Sequence, residues 1–252
     1  MRIKTVAIAM AALWATAALG QNVDRVFHFT NTSADQDRQE MVNLIRVNAD
    51  IQRAALVSAS NALVVSGTEG QIAMAQWLFA ELDKPAQMQP PAKRSSREFR
   101  VEGTDDLVKV FYLANTSTAQ GLQELVNALR SLTDMQRIIT FNSQGALAMR
   151  ATPTQIAAAE WLINQLDHAA GQNQDSAAHE YTMTGRPEGV LRVFYPKHAA
   201  APQALQETVN AIRTAVDVQR AIWCSGPRAV AMRGTAAQAA RAEQLVKELD
   251  RL

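Results

Sequence analysis

The sequence runs to 252 residues, 48% of them hydrophobic and 19% charged, with 25 basic and 24 acidic side chains. That length supports two or three compact domains, and the near-neutral balance argues against a nucleic-acid binder, which would carry a basic excess. A single cysteine, Cys224, excludes an internal disulfide, so the fold must stand on its core alone.

The chain opens with a basic start, Arg2 and Lys4, followed by an apolar run over residues 6–19 broken by Thr16. Ala18 and Gly20 then place small residues at the −3 and −1 positions of a cut before Gln21, which is the layout of a cleaved secretory signal. The run is short against the roughly 20 residues needed to span a bilayer, and no later stretch reaches that length. Cys224 lies far from the cut site, so a lipid anchor is not expected. Without Arg2 and Lys4 the chain keeps 23 of its 25 basic residues against 24 acidic ones. The expected address is the periplasm.

Beyond the signal the sequence repeats itself. Residues 23–83, 107–167 and 190–250 align without a gap, and about a third of the positions are identical in all three. Each copy opens on Val-Phe (Val26-Phe27, Val110-Phe111, Val193-Phe194) and carries Gln-Glu-x-Val-Asn-x-x-Arg. Each continues with Asp-x-Gln-Arg and closes on Leu-Asp.

The elements follow from periodicity. In the second copy, residues 107–113 form a β-rich run. Ser117-x-x-Gln120 then reads as a capping box, repeated as Ser33-x-x-Gln36, while the third copy offers Ala200 and a Pro202 suited to a first helical position. Leu122, Leu125, Val126, Leu129 and Leu132 make the apolar stripe of a helix. Residues 136–141 and 146–150 read as two strands joined by the turn-rich 142–145. A second capping box, Thr68-x-x-Gln71, Thr152-x-x-Gln155 or Thr235-x-x-Gln238, starts the last helix of every copy. The predicted class is α+β: three tandem βαββα modules, each a small three-stranded sheet with two helices on one face. The expected layout is a signal at 1–20, repeat one at 21–84, a proline-rich and mobile linker at 85–97, repeat two at 98–168, a linker at 169–178, and repeat three at 179–252. Short β-like stretches at 98–101 and 180–183 are candidates for an added edge strand.

The Val-Phe strand, the Val-Asn helix, the hairpin ending Ala62-Leu63-Val64-Val65-Ser66-Gly67-Thr68 and the helix closing on Leu-Asp resemble the short periplasmic N-domains of bacterial secretins. Secretins are the outer-membrane gates of secretion and pilus machines. The resemblance spans about three quarters of the chain and implies a KH-like fold, a periplasmic address and a tendency to stack into rings. A secretin continues into a large strand-rich barrel domain, whereas this sequence stops two residues after the third copy, so no pore is expected of it.

No chemistry-bearing constellation stands out. Gly67-Thr68-Glu69-Gly70 matches a GXXG, but it lies between a strand and a helix, carries a glutamate and is not kept in the other copies, so a helix cap accounts for it. His28, His168, His179 and His198 lack a second ligand at metal spacing, and no serine or threonine has an activating partner. Neither a catalytic site, a cofactor nor a metal is expected. Cys224 reads as a small buried hydrophobe.

The recurring polar residues have two readings. Asn43, Asn127 and Asn210, with Arg46, Arg130 and Arg213, share the first helix, and Arg53, Arg137 and Arg220 open the second strand. They either brace their own module, through helix-end arginines or an Asp50–Arg53 type turn, or form faces that meet between units. Side chains alternate along a strand, so Val110 and Tyr112 oppose Phe111 and Leu113; Tyr195 and Trp223 read as similarly prominent. Both sheet faces are apolar, yet two helices cover one, and a domain of about 60 residues is marginal alone. The free face is therefore expected to pack on another unit, in this chain or another. The function expected is a non-catalytic periplasmic scaffold or adaptor with protein partners such as a secretin, prone to self-association. The alternative is a module that captures a glycan or peptide on an exposed aromatic sheet face.

Overall fold

The computed structural model describes residues 22–85, 97–116, 118–169, 178–197 and 201–251. The expected signal, His198, and most of both linkers lie outside them. Module 1 comprises β1 (Val23–His28), α1 (Asp35–Ala49), β2 (Arg53–Val57), β3 (Ala62–Gly67) and α2 (Glu69–Leu82). Module 2 comprises β4 (Arg97–Arg100), β5 (Leu107–Tyr112), α3 (Ala119–Thr133), β6 (Arg137–Phe141), β7 (Ala146–Ala151) and α4 (Pro153–Leu166). Module 3 repeats that order as β8 (His179–Thr182), β9 (Val190–Phe194), α5 (Pro202–Ala215), β10 (Arg220–Cys224), β11 (Ala229–Gly234) and α6 (Ala236–Leu249).

Each module is βαββα, with the last strand of the hairpin at the centre of an antiparallel sheet, in the orders β1-β3-β2, β4-β5-β7-β6 and β8-β9-β11-β10. The second and third sheets thus have four strands where three were expected. The β-like stretches before those copies do pair as edge strands, Phe99 opposite Val108 and Tyr181 opposite Leu191.

Local signals explain the boundaries. Thr68, Thr152 and Thr235 cap α2, α4 and α6, each accepting from the backbone N–H of Gln71, Gln155 or Gln238, whose side chain accepts from the cap N–H in return. The earlier helices start differently from expectation. Ala34 precedes α1 with no side-chain cap, so Ser33 does not serve. Thr118, which accepts from Gly121, caps α3, and Ser117 lies outside the described residues. Pro202 does open α5, where its missing N–H leaves nothing unsatisfied. The hairpins turn through a left-handed residue at Asn61, Gly145 or Arg228, a conformation glycine and asparagine adopt most cheaply.

The closing aspartate of each copy ties the module together. The Asp83 carboxylate accepts from the backbone N–H groups of Thr30, Asn31 and Thr32 at 2.8, 3.1 and 2.8 Å. Asp167 does the same for Ala114, Asn115 and Thr116, and Asp250 accepts from Lys197. The C-terminus of the last helix is thereby pinned to the loop after the first long strand. Replacing Asp167 by Ala strands three backbone donors and should lower the unfolding free energy by about 2–3 kcal/mol. Thr152→Ala, which removes one cap, should cost about 1 kcal/mol. Urea unfolding of the two variants ranks them, and equal losses would mean that the aspartate does not bind the loop as described.

Candidate functional site: the seam between modules

Directly opposed residues of paired strands share a sheet face. In module 2 the face away from its own helices therefore carries Val108, Val110 and Tyr112 of β5, Ala146, Ala148 and Arg150 of β7, and Arg137, Ile139 and Phe141 of β6. The helices of module 1 cover it. α1 lies across β6 and β7, and Met41, Leu44, Ile45 and Ala49 join Val108, Val110, Phe141, Ala146 and Ala148 in one apolar cluster. Module 3 repeats the arrangement: α3 lies across β10 and β11, and Leu191, Val193, Tyr195, Cys224, Ala229 and Ala231 belong to the cluster of Leu129 and Leu132. The sheet face with no helix of its own is thus buried by the preceding module of the same chain.

Four polar contacts recur across both seams at matching positions. Glu40 accepts from the backbone N–H of Asn142 at 2.9 Å, as Glu124 does from Ser225 at 2.7 Å. The Tyr112 hydroxyl donates to the Glu81 carbonyl at 3.2 Å, and the Tyr195 hydroxyl to the Gln165 carbonyl at 2.8 Å. Arg150 donates to the Asn48 carbonyl and Arg233 to that of Leu132. Asp50 pairs with Arg137 at 3.5 Å, and Asp134 pairs with Arg220. Edge strands add a flank of rings, with Trp77 against Phe99 at 5.7 Å and Trp161 against Tyr181 at 5.6 Å.

Asp134 concentrates the second seam's charge. Burial pushes its carboxyl up, but hydrogen bonds from Arg233, Arg220 and Arg186 outweigh that and bring it from 3.8 down to about 2. Burial, helped by the Glu124 carboxylate, lifts the Cys224 thiol to about 12, so Cys224 is an inert apolar member of the seam.

The structure divides the polar residues singled out in the sequence. Arg46, Arg130 and Arg213 stay within their modules, each donating to a second-strand carbonyl: Ala54, Ile138 at 2.9 Å and Ala221 at 2.7 Å. Asn43, Asn127 and Asn210 sit on the exposed helix face, each accepting from a glutamine one turn earlier. Arg137 and Arg220 cross the seams, whereas Arg53, on the first sheet, is exposed. The expected Asp50–Arg53 turn brace is not what forms: the aspartate ends the helix in a left-handed conformation and reaches the arginine of the next copy.

Tyr112 and Tyr195 lie in the seams, half-buried and buried. Trp223 faces its own module, donating to Gln206 at 2.6 Å. An exposed aromatic sheet face, on which the ligand-capture alternative depended, is therefore not presented by these three residues. The residues missed from sequence were Glu40, Glu124 and Asp134. Glu40 and Glu124 belong to the repeated Gln-Glu-x-Val-Asn-x-x-Arg motif and Asp134 to the repeated Asp-x-Gln-Arg motif, and that recurrence does not name the partner each acid meets.

Among the described residues no cluster of His, Cys, Asp or Glu could hold a metal, and no helix is long and apolar enough to cross a membrane. No family model and no curated protein matches the sequence. Among solved structures the chain is similar to the N-terminal domain of the secretin XcpQ from Pseudomonas aeruginosa, with 19% identity, a TM-score of 0.24, and coverage of 58% of this chain and 62% of that one. It is also similar to Aeromonas hydrophila ExeD, with 16% identity, a TM-score of 0.21, and coverage of 91% of this chain and 41% of that one. The chain thus spans about three fifths of the XcpQ domain it matches.

The Asp134 cluster makes the second seam acid-sensitive. Its folded pKa is depressed, so its contribution is present above about pH 4 and is lost as pH falls through about 2. Asp134→Asn should remove about 1–2 kcal/mol at neutral pH, allowing for solvent screening, and should flatten the acid-unfolding curve in that window. An unchanged curve would show that the three arginines do not hold the carboxylate. Cys224 supplies a second readout, because its thiol becomes accessible only when the seam opens. Ala128→Glu, which places a charge in the seam, should speed alkylation of Cys224 about tenfold for every 1.4 kcal/mol of seam stability lost. Fast alkylation of the native chain would contradict its burial.

Proposed function

We propose that the chain is a non-catalytic periplasmic scaffold that works by module packing within a secretin-type secretion or pilus machine. The observation that carries the reading is the doubled seam, in which recurring residues serve contact between modules. A mechanism that joins βαββα units face to back suits a protein whose task is to hold other components at fixed spacing. The secretin association rests on the likeness of the repeated strand, helix and hairpin pattern to periplasmic secretin N-domains, modules that stack with their own kind. The export signature of the first twenty residues supports the periplasmic address.

The test is crosslinking in intact cells followed by affinity capture of the tagged protein from envelope fractions. A secretin should be recovered with it, and Leu132→Arg, which breaks the second seam, should reduce recovery several-fold. A tagged protein found in the cytoplasm, or one whose envelope captures never include a secretin, would overturn the reading.

A further inference from the structure

The seam has two halves, and each end of the module array presents one of them. In module 1 the sheet face equivalent to those buried in modules 2 and 3 has nothing over it among the described residues. Val26 and Val57 on that face are 52% and 40% exposed, and they are the exposed large hydrophobic residues of the described chain. Val110 and Phe141, at the same places in module 2, are 0% and 1% exposed. At the other end the helical face of module 3 is open among the described residues. Ala128 and Leu132 of α3 are fully buried, while Ala211 and Ala215, their equivalents on α5, are half-buried and exposed.

We infer that these two faces dock on each other between copies: the helical face of module 3 of one chain covers the sheet face of module 1 of a second, in the geometry of the internal seams. Continuity with those seams is the first support, because the same surface pair is already used twice in one chain. Complementarity is the second. Residues of the right kind for three of the four recurring polar contacts stand at the two ends. Asp217 stands where Asp50 and Asp134 stand, and Arg53 where Arg137 and Arg220 stand. Glu207 matches Glu40 and Glu124, and its partner is the Ser58 backbone N–H, equivalent to those of Asn142 and Ser225. Glu248 matches Glu81 and Gln165, and His28, whose ring N–H can donate to it, takes the place of Tyr112 and Tyr195.

The end faces are also more polar than the internal ones. Asp24 replaces Val108 and Leu191, and Gln244 takes the place of Trp77 and Trp161, while Ser66, in the place of Arg150 and Arg233, drops the fourth polar contact. Transient interfaces carry less apolar surface than obligate ones, so the end contact is weaker than the internal seams, reversible and sensitive to salt. A head-to-tail contact is heterologous, and it propagates into a ring or an open filament according to the rotation per step.

The inference deepens the scaffold reading and rests on it. Sedimentation of the purified protein from low micromolar to several hundred micromolar, at low and high salt, tests it. The average mass should rise with concentration and fall with added salt. Arg53→Glu and Asp217→Arg should each weaken association about tenfold, and the double charge swap should restore it. Arg53, Asp217 and their replacements are exposed, so circular dichroism should show all variants folded. A monomer at every concentration in low salt would overturn the inference, as would an assembly indifferent to both charge reversals. Either result leaves the scaffold reading intact if a secretin is still captured, whereas an assembly that responds to the swaps without capturing a secretin removes that partner alone.

Discussion

A sheet has two faces, and two helices on one side leave the other uncovered. In this chain the uncovered face is apolar, with Val108, Val110 and Ile139 in one sheet and Leu191, Val193 and Ile222 in the next. A module of some 60 residues buries too little of its own surface to leave such a face in water. The rest of the structure answers that constraint. Modules 2 and 3 each take the preceding one's helices as a second layer, and the cores run together, so that side chains from two modules form one cluster.

Apolar contact on a flat sheet does not by itself fix where a helix lies, and the polar pairs supply that register. They sit around the apolar patch: a glutamate on the first helix, a carbonyl near the end of each helix, and an aspartate at the first helix's C-cap. Acids lie on the helical side and arginines on the sheet side, so two sheet faces or two helical faces cannot meet without opposing like charges. The two seams differ in how much they invest in this. Asp50 holds Arg137 at 3.5 Å, while Asp134 gathers Arg186, Arg220 and Arg233. The first seam instead buries Asn48, whose amide N–H group bonds back to the Leu44 carbonyl while its Oδ1 has no partner. Leu132 occupies that position in the second seam without such a cost.

Much of the fold was legible because the same local signals recur three times. The Thr-x-x-Gln boxes state a helix start that needs nothing from the rest of the chain, and all three form. The first helices of modules 1 and 2 were read a residue early because a serine before a helix competes with its neighbours for the cap, and geometry in the loop after β1 or β5 decides. Here that loop is held by Asp83 or Asp167, some 50 residues away, which no local pattern can announce. The edge strands β4 and β8 were visible as short β-like runs, but their pairing depends on reaching back over α2 and α4, where Trp77 and Trp161 meet Phe99 and Tyr181. For the seam, the sequence displayed the apolar second face of the sheet plainly. What it could not display was the pairing of Asp50 with an arginine of the following copy, because the nearer Arg53 satisfies the same pattern on paper.

Identity between repeats therefore carries two kinds of information that look alike in one sequence. Arg46, Arg130 and Arg213 recur because every module needs an edge-strand carbonyl satisfied, and that need is met at home in all three. Arg53, Arg137 and Arg220 recur equally well, yet their need is met by a neighbour, and at the start of the array that neighbour lies outside module 1. Tethering separates the two situations energetically. Modules joined by a short stretch of chain face each other at a high effective concentration, so their seam forms without the loss of translational freedom that separate molecules incur. The same contact between chains begins with that loss, and an array with fully apolar ends would aggregate without control. Thinning the apolar residues at the ends while keeping Arg53, Asp217 and Glu207 gives faces that stay soluble alone and still recognise the matching surface.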